Sequence, residues 1–160
     1  MTKQSTTSRN SFSLADLDGL VGQELGQSEW HRITQKQIDL FAEATGDYAA
    51  IHVDPEAAAN SPFGSTIAHG FLTLSLVAAL TQEAFNISDA RNLINYGVNR
   101  VRFPTPVPVG GRVMLKTSLV SVEDRPMGRL LTLSFEIHME GSTRQAAVGE
   151  TLLLVVEGDG

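Results

Sequence analysis

Hydrophobic positions change their period along the chain, and each change marks an element. Residues 1–12 (MTKQSTTSRNSF) are polar and without period, and are expected to form a disordered tail. SLADLDGL (13–20) suits one short helical turn, and Val21–Arg32 alternates weakly around Trp30, as a first strand would. A helix is predicted from Thr34. Thr34 and Gln37 have capping-box spacing, Ile38, Phe41, Ala42 and Thr45 recur on one face, and Gly46 stops it. DYAAIHVD (47–54) has no period and reads as an irregular connector. Asp54 and Pro55 then open a short helix through Asn60, as N-cap and first helical residue. PFGSTIA (62–68) is turn-rich.

From Gly70 to Phe85 the spacing is helical but apolar nearly all round: Phe71, Leu72, Leu74, Leu76, Val77, Ala78, Ala79 and Leu80. Such a helix is expected to be enclosed by other structure. Beyond Asn86 the pattern turns to strands, over Arg91–Phe103, Arg112–Val122, Arg129–Met139 and Gln145–Val156. Glu123–Gly128 and Gly141–Arg144 read as hairpin connections. PTPVPVGG (104–111) interrupts the series, because its prolines cannot donate to a central ladder. The order, helices first and then a long antiparallel sheet with one greasy helix between, predicts an α+β fold. A sheet curled around that helix would bury Phe71–Leu80, each Leu or Phe contributing roughly 1.5–3 kcal/mol.

Composition narrows the function classes. A length of 160 residues fits one domain, expected over 13–160, with a substantial core. A net charge of −6 disfavours a sequence-independent grip on nucleic acid. The absence of cysteine removes disulfides, thiolate metal sites and cysteine nucleophiles. Thr73 and Ser75 interrupt the longest apolar run, which falls short of a membrane span, and the N-terminus lacks the apolar core of a signal peptide. The expectation is a soluble, cytoplasmic protein without nucleic-acid or membrane partners.

The four histidines, His31, His52, His69 and His138, form no HxxxH or HExxH pair, so no metal site is expected. Nucleophile-elbow, phosphate-loop and dinucleotide glycine motifs are also missing. Two features remain. Asp47 and His52 lie five residues apart on a connector that starts at a glycine and ends at a helix cap. A loop can turn both side chains into one cavity, where they would hold a water and move protons on either side of it. Spacing alone equally fits a turn cap and a buried histidine. The second feature is Ile67-Ala68-His69-Gly70, leading directly into the apolar helix. First-turn N–H groups are unpaired at the positive end of the helix dipole, and glycine lets a ligand oxygen come close. That geometry suits an oxyanion site, or equally a tight helix–sheet contact. His69 reads as a structural residue bonding the loop rather than as a second base.

The segment GDYAAIHVDPEAAANSPFGSTIAHGFLTLSL (46–76) resembles the hydratase signature of MaoC-like dehydratases, the (R)-specific enoyl-CoA hydratases of the hot-dog fold. NRVRFPTPVPVG (99–110) is similar to the strand and turn that follow in that family. The resemblance implies a curved antiparallel sheet wrapped around Gly70–Phe85, and a homodimer. It implies Asp47 and His52 as catalytic dyad and Gly70 as backbone oxyanion donor. Tyr48, His69, Phe71, Arg100 and Arg102 are the substrate-binding candidates, the two arginines reading also as a solvated strand face. The reaction implied is reversible hydration of a trans-2-enoyl thioester of CoA or acyl-carrier protein, with no cofactor. Two departures stand out: many members have Asn-Pro where this chain has Ala49-Ala50, and some have a helix serine near Ala78. A non-catalytic acyl-thioester-binding subunit and a thioesterase are the competing expectations on the same scaffold.

Overall fold

A computed structural model describes residues 9–157. The chain runs β1 (Asn10–Phe12), a 3-10 helix (Leu14–Leu20), β2 (Glu24–Gln27), β3 (His31–Arg32), α1 (Gln35–Thr45), α2 (Ala50–Val53) and α3 (Pro55–Ala59). It continues through α4 (Gly70–Ala84), β4 (Phe85–Ile87), β5 (Ala90–Arg102), β6 (Arg112–Arg125), β7 (Gly128–Met139) and β8 (Ala147–Glu157). The main sheet has the order β2-β6-β7-β8-β5, antiparallel throughout, and β3 extends the β2 edge along β6. β1 and β4 form a separate parallel pair.

Alternation builds the sheet. Leu131, Leu133, Phe135 and Ile137 of β7 are buried on one face, as are Val113, Leu115, Thr117 and Leu119 of β6. The β6–β7 hairpin closes on Pro126-Met127, with Arg125 opposite Gly128. Only glycine fits there, because a Cβ at Gly128 would collide with the Val155 carbonyl of β8. α4 lies across the buried face of the sheet, Leu72, Val77, Leu80 and Ala84 joining Leu115, Leu119, Leu131 and Leu133 in one core. This is a hot-dog-like α+β arrangement of helix and sheet.

The helix starts follow their sequence signals. Thr34 accepts the Gln37 N–H while the Gln37 side chain accepts the Thr34 N–H at 2.9 Å. Gly46 ends α1 in the left-handed region at φ +79°. Asp54 accepts the Glu56 and Ala57 N–H groups at 3.0 Å, with Pro55 as first helical residue of α3.

Four expectations change. Residues 1–8 of the expected tail lie outside the described residues, and its end is structured, since Asn10–Phe12 pairs with Phe85–Ile87. The first strand, expected over Val21–Arg32, divides into β2 and β3. Between them the Ser28 hydroxyl, rather than a main-chain carbonyl, accepts the Leu115 N–H at 2.9 Å. The connector 47–54 contains a single helical turn, α2, too short to leave a periodic pattern. Finally, α4 is not enclosed all round: Phe71, Ser75, Ala79 and Gln82 lie exposed along one face. Among the described residues no helix is long and apolar enough to cross a membrane.

Candidate active site

The segment Thr66–His69 fixes the site, because it is held from both sides. Ala68 N–H donates to the Val107 carbonyl at 2.8 Å and Val109 N–H to that of Thr66 at 2.9 Å. On the other side Ile67 N–H donates to Ile51 of α2 at 3.0 Å. These bonds place the α2 turn beside the start of α4. His52, 8% exposed, then points inward, with its Nδ1–H donating to the Ile67 carbonyl at 2.7 Å. That bond leaves Nε2 as the ring nitrogen with a lone pair.

Asp47 stands at the opposite end of the connector, immediately after Gly46. It is exposed, and one carboxylate oxygen accepts the Ala49 N–H at 3.3 Å. Its main-chain carbonyl accepts the Nε2–H of His69 at 2.9 Å. His69 is 2% exposed and stacks on His52, with ring centroids 3.8 Å apart and planes inclined by 26°. One polar atom from each of Asp47, His52 and His69 lies within 4.8 Å of the other two.

A metal trio is the obvious reading of such a cluster, but the rings do not aim at a common point. A d-block ion needs in-plane lone pairs converging at about 2.0–2.1 Å. Stacked imidazoles present theirs side by side, and each ring already gives one N–H to a main-chain carbonyl. Among the described residues the three are joined by ring stacking and by bonds from the imidazoles to main-chain carbonyls, and no hydrogen bond links the Asp47 carboxylate to either ring.

Beside it opens a cleft of 320 Å³, lined by His52, Gly70, Thr73, Phe63 and Phe103 among others. This is the lower end of the range for small-molecule sites, about 300–1,000 Å³. Gly70 is the first residue of α4, so its N–H has no intrahelical acceptor. A Cβ on Gly70 would sit 2.9 Å from the Phe103 ring, so glycine is required for Phe103 to cover the helix start.

The structure brings Asp47, His52 and His69 within reach of one another and sets His52 and Gly70 on one cleft, whose lining does not include Asp47. Phe71 meets Phe103 at 6.1 Å between ring centroids but is 69% exposed, and Tyr48 is 60% exposed outside the cleft. Arg100 and Arg102 do not share a regular strand face, because a bulge lies between Asn99 and Arg102 and Arg100 takes φ +49°. Arg100 pairs with Glu150 at 3.2 Å, and Arg102 donates to the Val101 carbonyl at 2.9 Å. His31 and His138 lie elsewhere, against Gln37 and Glu136. Ala49 is the N-cap of α2, and Ala78 lines a narrow crevice between α4 and β5.

Sequence reasoning missed three participants. Gln35 donates to the His52 carbonyl at 2.8 Å and accepts the Thr66 hydroxyl, tying α1 to both sides of the site. Phe103 covers Gly70. Thr105, in the cleft wall, has a buried hydroxyl with no partner among the described residues. All three act over distances in the chain that leave no local pattern.

Residues 16–136 match the model of a family described as MaoC like domain. The chain is 50% identical over 145 residues to 3-hydroxyacyl-thioester dehydratase Z of Mycobacterium tuberculosis, covering 90% of this chain and 96% of that protein. It is similar in structure to an R-hydratase from Pseudomonas aeruginosa, with a TM-score of 0.73 at 25% identity, over 91% of this chain and 86% of that one. A MaoC-like dehydratase from Rhodospirillum rubrum superposes with a TM-score of 0.76 at 23% identity, over 93% and 99% of the two chains.

Proposed function

Because this chain belongs to the MaoC-like dehydratase family, an assignment its matched residues 16–136 establish, we propose that it reversibly hydrates trans-2-enoyl-CoA to the (R)-3-hydroxyacyl-CoA. That it is a lyase adding or removing water on acyl thioesters follows from the family and its close relative. The stereochemistry, the carrier and the dyad mechanism are the proposal. One observation carries it: His52 lines the same cleft as Gly70, with an Asp47 atom within 4.8 Å of one of its ring nitrogens.

In this reading the thioester oxygen sits against the Gly70 N–H, at the positive end of α4, which draws electron density from the C2–C3 double bond. Asp47 and His52 hold a water beside C3. As its oxygen bonds to C3, the dyad takes one proton, and one proton is returned to C2. The thioester gains H₂O and nothing is oxidised or reduced. His52 Nε2 is suited to the exchange because Nδ1–H is committed to Ile67. Arg100 and Arg102, both exposed near Phe103, are offered to the phosphates of the carrier, and Tyr48 and Phe71 to its pantetheine or acyl portion.

We also place residues 10–157 in one hot-dog domain whose sheet curves round α4, the start moved from 13 to 10 by the pairing of β1 with β4, and propose a homodimer. β5 is an edge strand, and its Ile94, Tyr96 and Val98 are 42%, 65% and 51% exposed, an apolar edge that favours pairing with a second copy. Light scattering should return twice the chain mass; a monomer at micromolar concentration would reject the pairing.

Turnover is tested with crotonyl-CoA by loss of enoyl absorbance, with Asp47→Ala and His52→Ala variants shown to be folded. Each acid–base group is worth about 10²–10⁴-fold, so both variants should fall by that order. Near-wild-type activity in both would refute the dyad. Mass analysis separates the rival chemistries: hydration adds one water, thioester hydrolysis releases free CoA, and simple binding changes nothing.

A further inference from the structure

We propose that His69 is a positioning residue for this reaction, holding Asp47 and His52 in register from behind the site; the inference rests on the hydratase reading above. His69 is the residue through which the acid, the imidazole and the helix start are physically joined. Its Nε2–H donates to the Asp47 carbonyl at 2.9 Å. Its ring carries the His52 ring at 3.8 Å. Its own carbonyl accepts the Thr73 N–H at 3.1 Å in the first turn of α4, and Gly70 follows it directly. Phe41 of α1 closes against the ring at 5.0 Å, so the imidazole has no room to swing away.

The ring state follows from its surroundings. Nε2 carries the hydrogen, because it faces a carbonyl oxygen that only accepts. Among the described residues Nδ1 is buried without a partner, so a proton there would meet no acceptor among them. His69 thus carries a hydrogen on Nε2. It supplies a donor to one half of the dyad and a flat face to the other.

These two contributions can be separated. Gln at position 69 keeps an amide N–H at comparable reach and loses the ring. Phe keeps a ring face and loses the donor. Without the donor, the Asp47 carbonyl loses its tether and the exposed connector relaxes. His69→Phe should therefore lower kcat by about 10–100-fold, the usual cost of losing an outer partner that orients a site residue, with KM little changed. His69→Gln should recover most of that loss.

The test is kcat and KM on crotonyl-CoA for wild type, His69→Phe and His69→Gln, with melting temperatures for all three. The proposal is upheld by a kcat loss in His69→Phe that His69→Gln rescues at similar stability. It is overturned if His69→Phe has wild-type kcat, or if both variants lose kcat and melting temperature in parallel, as a purely structural residue would. Nitrogen-15 NMR of the wild-type rings gives a readout independent of turnover. His69 protonated at Nε2 and His52 at Nδ1 support the tether, and the opposite tautomer at His69 rejects it. Absence of turnover in the wild type would remove the hydratase reading while leaving the ring assignment to judge the tether. Turnover with an unimpaired His69→Phe variant would remove the positioning role alone.

Discussion

The two halves of the proposed dyad are built differently. The imidazole half is part of the core: His52 is buried, its ring is bonded to Ile67, its carbonyl is held by Gln35, and its face rests on His69. The carboxylate half is exposed, and among the described residues its side chain accepts only a 3.3 Å bond from Ala49. Its firmest main-chain tether is the bond from His69. Under the proposed mechanism, a water between the two would meet a buried, multiply bonded partner on one side and an exposed, sparsely bonded one on the other.

Crowding the helix start that shares the cleft with the buried His52 should have the larger effect. Gly70→Ala places a methyl 2.9 Å from Phe103 at the helix start. Because displacements of about 1 Å near reacting groups cost up to about 10²-fold, kcat/KM for crotonyl-CoA should fall by about 10–100-fold. The three atoms nearest that methyl all belong to the Phe103 ring, so adding Phe103→Ala should restore part of the loss. Equal activity of Gly70→Ala and wild type would show that the helix start does not touch substrate.

Effects at the exposed rim should be smaller. Arg100 is 81% exposed in its side chain and pairs with Glu150 across solvent, a contact worth about 1 kcal/mol or less. Arg100→Gln and Arg102→Gln should each raise KM for the CoA substrate by a few-fold without changing kcat. An unchanged KM in both would leave the arginines as solvated surface residues with no part in carrier binding.

The smallest effect belongs far from both halves. At the N-cap of the 3-10 helix, the Ser13 N–H and hydroxyl hold the Asp16 carboxyl below its ordinary value of 3.8. A carboxylate with a depressed folded value stabilises the protein above its unfolded value and loses that contribution as pH falls toward the folded one. Wild type should thus exceed Asp16→Asn slightly in melting temperature at neutral pH, and the gap should close in acid. A gap that widens on acidification would contradict the sign. Hydration activity should not change.

How much of this was legible in the sequence depends on range. Elements announced by neighbouring residues were readable: the Thr34–Gln37 cap, Gly46, Asp54-Pro55 and the alternation in β6, β7 and β8. Asp47, His52 and Gly70 are singled out by the family pattern of segment 46–76, and the structure sets Asp47 near His52 and His52 on the cleft with Gly70. What failed depended on contacts between distant residues. Ser28 substitutes its hydroxyl for a ladder carbonyl, which splits a strand that otherwise alternates. The β5 bulge turns Arg100 to positive φ and breaks the same-face reading of the arginines. The joining of Gln35 to His52 spans 17 residues and that of His69 to Asp47 spans 22, and neither has a spacing rule.

The claim that Asp47 and His52 act on one shared water is tested most directly by a double-mutant cycle on crotonyl-CoA hydration, using Asp47→Asn, His52→Gln and the pair together. Residues that work as a unit are strongly non-additive. The double variant should be no slower than the slower single variant. A double variant slowed by the product of the two single losses would mean that the groups act independently, and the shared water would be lost with them.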